Sequence, residues 1–529
     1  MSVEINVCAF HGVDPTGTTD STAGIQAVLT AAGPNQVVRI PAGTYILSAT
    51  LNALSCQTIV GDGPNSTLLR RFTDYGDTLK FADAGACTVK GIWFYHSTMH
   101  VPADVALTNR VTSATAHVRI IGGQGVIIED CWMWRMPYQL AIDASSIVRV
   151  HRCNMQGTWD GNYPAAQEGV ASVWIGGAGY TQIVSVEHCY FGGSGSGPRS
   201  VTYTSSDTGA HAVNLMADCG NQYAILVSQC EDLVVSNNYM GGNQQQCVMA
   251  SLIPEGVNLD WRFTGNFLDG AADNGSLMHF TTQSNGTYVA GLTIANNVFN
   301  GELQTKHAIY AYNALGPQPA ITNFSISGNV FQALVGSAIM FYNARGGVVS
   351  GNMIGGYNCH NATAGGDLTF ACAAYLSTNS ANILFDGNML GGAVNSMDSP
   401  SYCYQGIYAT GVLSVIEKNS VFVGGGPTGN TTGKKDAVVV FHEVAGNYQV
   451  LGSEDIVIVK KVVGGSTQIL MPTNAPPGYK LTVKDGRGDA GTYPIQIAGT
   501  VDGALNPIYN TDYCCKTFLW NGAQWNVMS

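Results

Sequence analysis

One short phrase recurs along the chain and decides the fold. It reads VVSNNYM (234–240), RFTGNFL (262–268), TIANNVF (293–299), SISGNVF (325–331), VVSGNMI (348–354), LFDGNML (384–390) and VIEKNSV (415–421). Earlier copies have Cys in place of the last Asn: VIIEDCWM (126–133), VRVHRCNM (148–155) and VSVEHCYF (184–191). Short strands and Gly/Asn turns that repeat at such intervals are typical of solenoids. The phrase therefore predicts a parallel β-helix.

We call the Asn or Cys position of each phrase a pivot. The pivots are Cys131, Cys153, Cys189, Asn238, Asn266, Asn297, Asn329, Asn352, Asn388 and Asn419. Successive coils of a solenoid pair their backbones at a spacing of ~4.8 Å. An Asn at the same turn of each coil can bond its amide to the next Asn, and Asn tolerates a left-handed backbone. Cys fills the same inward position as a small apolar residue. The pivots are therefore predicted to stack in one line.

A second strand lies between the pivots. Alternation predicts the following inward residues: Ile142, Val173, Met278, Ile309, Ile339 and Ile407. The same rule turns these residues outward: Asp143, Trp174, His279, Tyr310, Tyr312, Tyr342, Tyr375 and Tyr408. Exposed apolar surface on a soluble protein marks an interface. The outward rings therefore predict either a saccharide groove, with Trp174, His279, Tyr310, Tyr312 and Tyr342 as binding residues, or a contact with a sister chain, and ordinary surface without a function is the third interpretation.

The start of the chain carries a different pattern. FHGVDPTGTTDSTAGIQAVLTAA (10–32) is followed by VVRIPAGTYILS (37–48). Asp20 or Ser21 is placed to cap a short helix that has Ile25, Val28 and Leu29 on one face. Such a helix can cover the unpaired edge of the first coil. The segment resembles the first segment of the pectate-lyase-like right-handed β-helix superfamily at Asp14, Gly17, Asp20, Thr22, Ile25, Gln26, Ile40, Pro41, Gly43 and Tyr45. That superfamily includes polysaccharide lyases, glycoside hydrolases and bacteriophage tailspikes.

The end of the chain has short strands separated by hairpin signals, which predicts a small antiparallel β-sandwich. The segment 455–527 resembles the C-terminal module of phage tail fibres and tailspikes. The likeness rests on ILMP (469–472), VKDGRGDA (483–490), IAGTVDG (497–503) and LWNGAQWNV (519–527). Such modules trimerise the shaft or bind a saccharide. The resemblance implies a homotrimer in a virion tail, with other phage tail or baseplate proteins as partners. Such a spike is made in the host cytoplasm and acts outside the cell on capsule, exopolysaccharide or O-antigen.

We expect four parts from these patterns. Residues 1–75 form an N-terminal cap and the start of the β-helix, and residues 76–425 form the shaft. The GGGPTGNTTGKKD stretch (424–436) closes the repeats and predicts a linker, which we place at residues 426–447. Residues 448–529 form the C-terminal sandwich. The fold class is therefore all-β.

Composition excludes several functions. The chain has 529 residues, of which 11% are charged, and its net charge is -12, which disfavours a nucleic-acid binder. No apolar run of about 18 residues predicts a membrane-spanning helix. The start, MSVEINVCAFHG, has no secretory pattern. The 14 cysteines are scattered rather than spaced as metal ligands. We expect no metal and no cofactor.

Glycosidases use two carboxylates about 5 to 9 Å apart. Asp232 and Asp260 each lie six residues before a pivot, which predicts that they stack one coil apart. Asp269 and Asp273 follow the pivot Asn266, and Glu302 follows the next pivot, Asn297. These five carboxylates are the candidate catalytic residues.

The long insert between residues 191 and 218 adds Asp207, His211 and Asp218 as further candidates, because function concentrates on loops of a rigid scaffold. Exposed Asp residues most often form turns, so a purely structural role remains an alternative for each of these candidates.

The sequence predicts a spike that cleaves a bacterial surface polysaccharide by carboxylate-assisted hydrolysis. A spike that only binds its receptor is the alternative. A polysaccharide lyase is a further alternative, although it would need a basic catalytic group, and the repeats offer few: Arg262, Lys306, Arg345 and His279.

Overall fold

The structure is a computed structural model. It describes residues 4–72, 76–96, 116–134, 136, 138–156, 171–177, 179–192, 198–205, 209–216, 223–241, 246–254, 256–270, 275–282, 284, 286–301, 305–313, 315–355, 372–377, 379–391, 405–409, 413–418, 421–423, 434–435, 441–450, 456–460, 465–472, 475 and 478–528. Most of these residues belong to three long parallel sheets. The chain passes through sheets 1, 2 and 3 in turn and then begins the next coil.

Sheet 1 contains the strands Glu4–Asn6, Val37–Ile40, Thr58–Gly61, Thr88–Lys90, Ile127–Glu129, Ser146–His151, Gln182–Glu187, Cys230–Ser236, Asn258–Leu259, Arg262–Thr264, Val289–Ala290, Thr293–Ala295, Ile321–Ser327, Ala344–Ser350, Ala381–Asp386, Leu413–Lys418 and Lys434–Lys435. Sheet 2 contains Thr16–Asp20, Gly43–Leu47, Thr67–Arg71, Trp93–His96, Trp132–Trp134, Asn154–Gln156, Tyr190–Gly192, Tyr239–Gly241, Phe267–Asp269, Val298–Asn300, Val330–Gln332, Met353–Ile354, Met389–Gly391 and Val421–Val423. Sheet 3 contains Leu51–Ala53, Leu79–Ala82, Ala116–Ile121, Tyr138–Asp143, Ala171–Ile175, Tyr223–Val227, Gln246–Leu252, Ser276–Thr282, His307–Tyr312, Ile339–Phe341, Cys372–Leu376 and Gln405–Ala409. The architecture is the predicted right-handed parallel β-helix.

The interior follows the alternation of each strand. The six residues predicted to point inward on sheet 3 (Ile142, Val173, Met278, Ile309, Ile339 and Ile407) are all buried. They join one core that runs from Val7 to Ile407. Because neighbouring coils pair in strict register, each inward side chain packs on its equivalent one coil away. The interior is therefore a column of matched apolar layers.

The pivots stack as predicted within the described residues. The side-chain amide of Asn238 donates to Oδ1 of Asn266 at 3.0 Å, and the same bond joins Asn266 to Asn297 at 2.9 Å. It continues through Asn329, Asn352 and Asn388. Cys131, Cys153 and Cys189 are buried earlier in the same column. Asn419 lies outside the described residues. The side chains thus satisfy one another inside a turn that no water reaches.

The left-handed backbone falls one residue earlier than the sequence suggested. The residues before the nine described pivots have φ between 52° and 67°: Asp130, Arg152, His188, Asn237, Gly265, Asn296, Gly328, Gly351 and Gly387. Those nine pivots themselves do not have positive φ. In the described Asn phrases the residue before the pivot is Gly or Asn, which adopt the left-handed region at least cost, whereas Asp130, Arg152 and His188 adopt it in the Cys phrases. The pivot is required for its inward amide.

The helix Thr22–Ala31 lies at the start, after a short 3₁₀ turn at Val7–Ala9. Oδ1 of Asp20 accepts hydrogen bonds from the N–H of Thr22 at 3.0 Å and from its hydroxyl. Ser21 makes no side-chain cap bond. Ile25, Val28 and Leu29 are buried, so the predicted face packs on the first coils. Asp20 therefore caps the helix.

The C-terminal strands form two further sheets that share one core. Sheet 4 contains Phe441–Val444, Ile456–Val459, Lys480–Asp485, Thr500–Val501, Ala504–Leu505, Cys515–Trp520 and Trp525–Val527. Sheet 5 contains Tyr448–Gln449, Thr467–Leu470, Ile495–Ala498 and Ile508–Tyr509. The two layers match the predicted sandwich, but its strand direction differs from the prediction. The first three strands of each sheet pair in parallel, and antiparallel pairing begins at Cys515–Trp520 and Ile508–Tyr509. Along the chain, these first strands alternate between sheet 4 and sheet 5. Each strand therefore enters its sheet in the same direction as the preceding strand of that sheet, which gives parallel pairs.

An antiparallel hairpin interrupts the shaft between sheets 2 and 3. Its strands are Pro198–Ser205 and Gly209–Met216. It accounts for the longest interval between pivots, from Cys189 to Asn238.

Candidate functional site

A cluster of rings on the outer face of sheet 3 is the first candidate site. His279, Tyr310, Met340 and Tyr375 occupy one register position in successive coils. Tyr312 and Tyr342 lie beside them. The ring centres of His279 and Tyr310 are 4.7 Å apart, those of Tyr312 and Tyr342 are 5.3 Å apart, and those of Tyr342 and Tyr375 are 5.7 Å apart. We call His279, Tyr310, Tyr312, Tyr342 and Tyr375 the ring cluster.

The ring cluster is half-buried and uncharged at neutral pH. Burial lowers the pKa of His279 to about 4, so its imidazole is neutral. Nε2 of His279 is buried and has no hydrogen-bond partner within the described part of the chain. Burial, and then the neighbouring Tyr342 and Tyr312, raise the pKa of Tyr310 above its ordinary value. The cluster therefore offers aromatic surface and neutral hydrogen-bonding groups.

Trp174 lies in the same column as His279 but outside the ring cluster. Leu226 and Met249 occupy the two coils between them. The side chain of Trp174 is only 4% exposed, and its indole N–H donates to the hydroxyl of Ser228 at 3.1 Å. It packs with Tyr138 and Tyr223. The prediction that Trp174 presents an accessible ring is therefore wrong, because this part of the outer face is covered.

Asp269 ends a strand of sheet 2, at the corner where the chain turns toward sheet 3. Its Oδ2 accepts a hydrogen bond from the hydroxyl of Tyr239 at 2.8 Å, and its Oδ1 accepts one from the amide of Asn300 at 2.7 Å. The two partners lie one coil before and one coil after Asp269. The carboxylate is therefore held between coils in a fixed orientation.

Asp273 and Glu302 lie outside the described residues, as do Asp207 and Asp218. Their positions in the chain place Asp273 between Asp269 and the strand that carries His279, and Glu302 two residues after Asn300. His211 belongs to the hairpin strand Gly209–Met216.

Asp232 and Asp260 occupy the same register position in neighbouring coils, since Glu231 pairs with Leu259 and Val234 with Arg262. Both are exposed, and both have φ of 55°. The equivalent residues of other coils also have positive φ: Ile183, Gly291, Asn323, Gly346 and Asn382. A left-handed turn therefore explains Asp at both positions without any chemistry.

One carboxyl that sequence reasoning did not treat as catalytic has a raised pKa. Asp143 is 6% exposed at the end of a sheet 3 strand. Burial raises its pKa, against backbone hydrogen bonds from Gly179, Ala144 and Gly177 and the charge of Arg119. A raised carboxyl pKa is what a general acid needs. Alternation already placed Asp143 outward, but burial could not be read from the sequence.

An apolar column on sheet 2 was also missed. The residue directly after each described pivot points outward, and it is apolar in the seven coils from Tyr190 to Met389: Tyr190, Tyr239, Phe267, Val298, Val330, Met353 and Met389. We call these seven residues the sheet 2 stripe. Tyr190 is 40% exposed, and Met353 and Met389 are each 47% exposed. The signal was present in the phrase, where two apolar residues follow the pivot although alternation can bury only one.

Comparisons with known proteins agree with this geometry. Residues 5–140 match the family model described as rhamnogalacturonase A/epimerase, pectate lyase-like. The family 28 exopolygalacturonase of Yersinia enterocolitica superposes with a TM-score of 0.52 at 13% identity, covering 78% of each chain. The chain has the pectate lyase-like β-helix fold.

Two weaker likenesses accompany that match. The superposition on the Dettilon tailspike protein covers 98% of this chain and 78% of the tailspike chain, at 11% identity and a TM-score of 0.46. The superposition on PfbA, a surface adhesin of Streptococcus pneumoniae, covers 100% of this chain and 98% of the PfbA chain, at 12% identity and a TM-score of 0.48. No curated protein matches the sequence.

Two further features of the described residues concern membranes and metals. None of the helices in the described residues has the length and apolar composition that crossing a membrane requires. Across the same residues, His, Cys, Asp and Glu form no group of three that could hold a metal ion.

Proposed function

We propose that this protein binds a bacterial surface polysaccharide on the ring cluster and cleaves it by carboxylate-assisted hydrolysis. The ring cluster is the observation that carries the proposal. Five rings from four coils form a continuous, uncharged surface on a rigid sheet. A sugar ring has apolar C–H faces and a rim of hydroxyls, so aromatic surface with a few neutral polar groups suits it.

Asp269 is the described carboxylate that we assign to catalysis. It lies on the segment that leads from sheet 2 to the His279 strand, and hydrogen bonds from Tyr239 and Asn300 hold it in one orientation. A carboxylate held in this way can act as nucleophile or general base, and the general acid then comes from a second residue. We assign that role to Glu302, on the next coil, with Asp273 as the other candidate.

We further propose that the protein is a phage tailspike and that three copies assemble around the sheet 2 stripe. The likeness of residues 455–527 to tail fibre modules supports the setting. The stripe supports assembly, because a monomer rarely leaves so long an apolar surface in water. A shaft built this way has its ring cluster on a different face from its assembly surface, and Asp269, which is hydrogen-bonded to Tyr239 of the stripe, lies at the corner between the two faces.

The test measures release of oligosaccharide from capsule and lipopolysaccharide of candidate hosts. We expect Asp269→Asn to lower release more than ~100-fold and to leave polysaccharide binding unchanged. Asp232→Asn together with Asp260→Asn is the matched control and retains full release. If Asp143→Asn abolishes release and Asp269→Asn does not, our catalytic assignment is wrong.

Binding without cleavage is the second candidate function. The same ring cluster would hold a receptor sugar in a protein that releases nothing. This function would be favoured if the unaltered protein bound polysaccharide but released no oligosaccharide from any host preparation. Loss of binding in Tyr342→Ala would still place the sugar on the ring cluster.

A further inference from the structure

A group of tryptophans on sheet 2 lies apart from the ring cluster. Trp93, Trp132 and Asn154 share one outward register position in successive coils, and Trp134 pairs with Gln156 in the other outward column. We call Trp93, Trp132, Trp134, Asn154 and Gln156 the tryptophan patch. Four coils, or ~19 Å along the axis, separate the coil of Trp132 and Trp134 from that of His279.

The three indoles form one aromatic surface. Trp132 and Trp134 are stacked, with ring centres 5.6 Å apart and planes 4° from parallel. The ring of Trp93 meets both edge-on, at 5.8 Å and 4.8 Å. All three side chains are only partly buried, so ring edges reach solvent. A flat ligand with an apolar face can pack on this surface.

The patch also holds buried polar atoms without partners. Within the described part of the chain, Nε1 of Trp93, Nε1 of Trp134, Oδ1 of Asn154 and Oε1 of Gln156 make no hydrogen bond. Buried polar groups in folded proteins are nearly always paired, because an unpaired one loses its bond to water and gains nothing. Four such atoms on one small outward surface therefore point to a missing partner.

We propose that the tryptophan patch is a second saccharide site, specific for a neutral sugar. Two orphan donors and two orphan acceptors require a ligand that both donates and accepts, which hydroxyl groups do. An amide flip at Asn154 or Gln156 would exchange acceptor for donor, and a hydroxyl serves either. None of the five residues carries a charge, so nothing in the patch compensates an acidic sugar. Because Oδ1 of Asn154 and Oε1 of Gln156 are buried, the two amide side chains must rotate for these atoms to reach a sugar packed on the indole edges.

The test uses the full-length protein labelled with 5-fluorotryptophan, which gives one ¹⁹F signal for each of its eight tryptophans. Single Trp→Phe variants assign the signals. The probes are the neutral methyl glycosides of glucose, galactose, mannose and rhamnose, with N-acetylglucosamine, and glucuronic acid as the charged comparison. We expect the signals of Trp93, Trp132 and Trp134 to shift and saturate with at least one neutral sugar, while Trp261 in the core does not respond. No saturable shift with any neutral sugar, or a preference for glucuronic acid, would overturn the proposal.

Two amide variants separate a ligand role from a structural one. We expect Asn154→Leu and Gln156→Met each to weaken sugar binding about fivefold while leaving the thermal midpoint unchanged or higher, since they remove unpaired atoms. Gln57→Met is the matched control. The amide of Gln57 is buried and fully bonded to Leu29, Ala32 and Leu54, so this variant lowers the midpoint and leaves sugar binding unchanged. If Asn154→Leu lowers the midpoint as Gln57→Met does, the patch is structural.

The second site and the ring cluster can fail independently. Tyr342→Ala removes a ring from the ring cluster and should leave the ¹⁹F shifts of the patch unchanged. A Trp132→Ala variant that changes the mass of the assembly, measured by light scattering, would show that the patch is a subunit contact and would overturn the proposal.

Discussion

The amide of Asn266 donates to Oδ1 of Asn297 in the next coil, and the main-chain N–H of Asn266 donates to the same oxygen; both bonds are 2.9 Å. Asn297 in turn donates to the carbonyl of Phe263 and to Asn329. One side chain thus satisfies two donors and one carbonyl of the coil before it. The turn is buried, so water cannot replace the amide when it is lost.

We expect Asn297→Ala to lower the free energy of unfolding by about 3 kcal/mol, because it leaves buried groups of two coils unpaired. Scanning calorimetry at one fixed scan rate measures the shift in the thermal midpoint. Asn296→Gly is the matched control, since the neighbouring coils already carry Gly265 and Gly328 at this left-handed position. Equal destabilisation by the two changes would contradict the role of the pivot amide.

The left-handed turn at Asp260 yields a second prediction. Asn323 and Asn382 hold the same register position with φ of 51° and 57°. Asp260→Asn should therefore change stability by less than about 0.5 kcal/mol. Asp260→Val should cost about 1–2 kcal/mol, because a β-branched residue is strained in this region. The thermal midpoints of the two variants check this, and a large loss with Asn would show that the carboxylate itself is needed.

The sequence was sufficient to predict the elements that repeat. The pivots and the inward column through Ile142 and Ile407 follow from periodicity, because each coil imposes the same backbone and the same alternation, and the cap helix follows from its capping residue and its apolar face. The outward rings at Tyr310 and Tyr342 followed from the same rule.

What the sequence could not provide is how the outer faces are covered. Trp174 and Tyr310 obey one alternation rule, yet Trp174 is only 4% exposed whereas Tyr310 is half-buried, because Trp174 packs with Tyr138 and Tyr223, and the rule does not predict such neighbours. Asp143 gained its raised pKa in the same way. The parallel start of the C-terminal sheets was missed because short strands with turn signals look alike in either direction.

The buried histidine of the ring cluster predicts a pH dependence. The pKa of His279 in the folded protein is about 4, below its ordinary value of 6.5. The unfolded chain therefore binds a proton at higher pH than the folded protein does. The stability that depends on neutral His279 is fully present above pH 6.5 and is lost as the pH falls toward 4, by about 3 kcal/mol at most.

His279→Phe should remove this part of the dependence. His117 is buried with a pKa of about 3 and acts in the same direction, so the prediction concerns the difference between the variant and the unaltered protein. Thermal midpoints from pH 8 to pH 4 measure it. Curves that stay parallel over that range would mean that His279 is not protonated on unfolding.

The sheet 2 stripe predicts which surface holds the assembly together. Met353 lies in the stripe and is 47% exposed, whereas Val348 lies five residues earlier on the outer face of sheet 1 and is 38% exposed. Burying a charge without a partner at a subunit contact costs several kcal/mol, and an exposed charge costs little. If the protein is the trimer that we propose, Met353→Asp should dissociate it and Val348→Asp should leave it intact. Light scattering coupled to size-exclusion chromatography gives the mass of each variant. Dissociation by Val348→Asp but not by Met353→Asp would show that the subunits contact each other through sheet 1. A monomeric unaltered protein would contradict the proposed trimer.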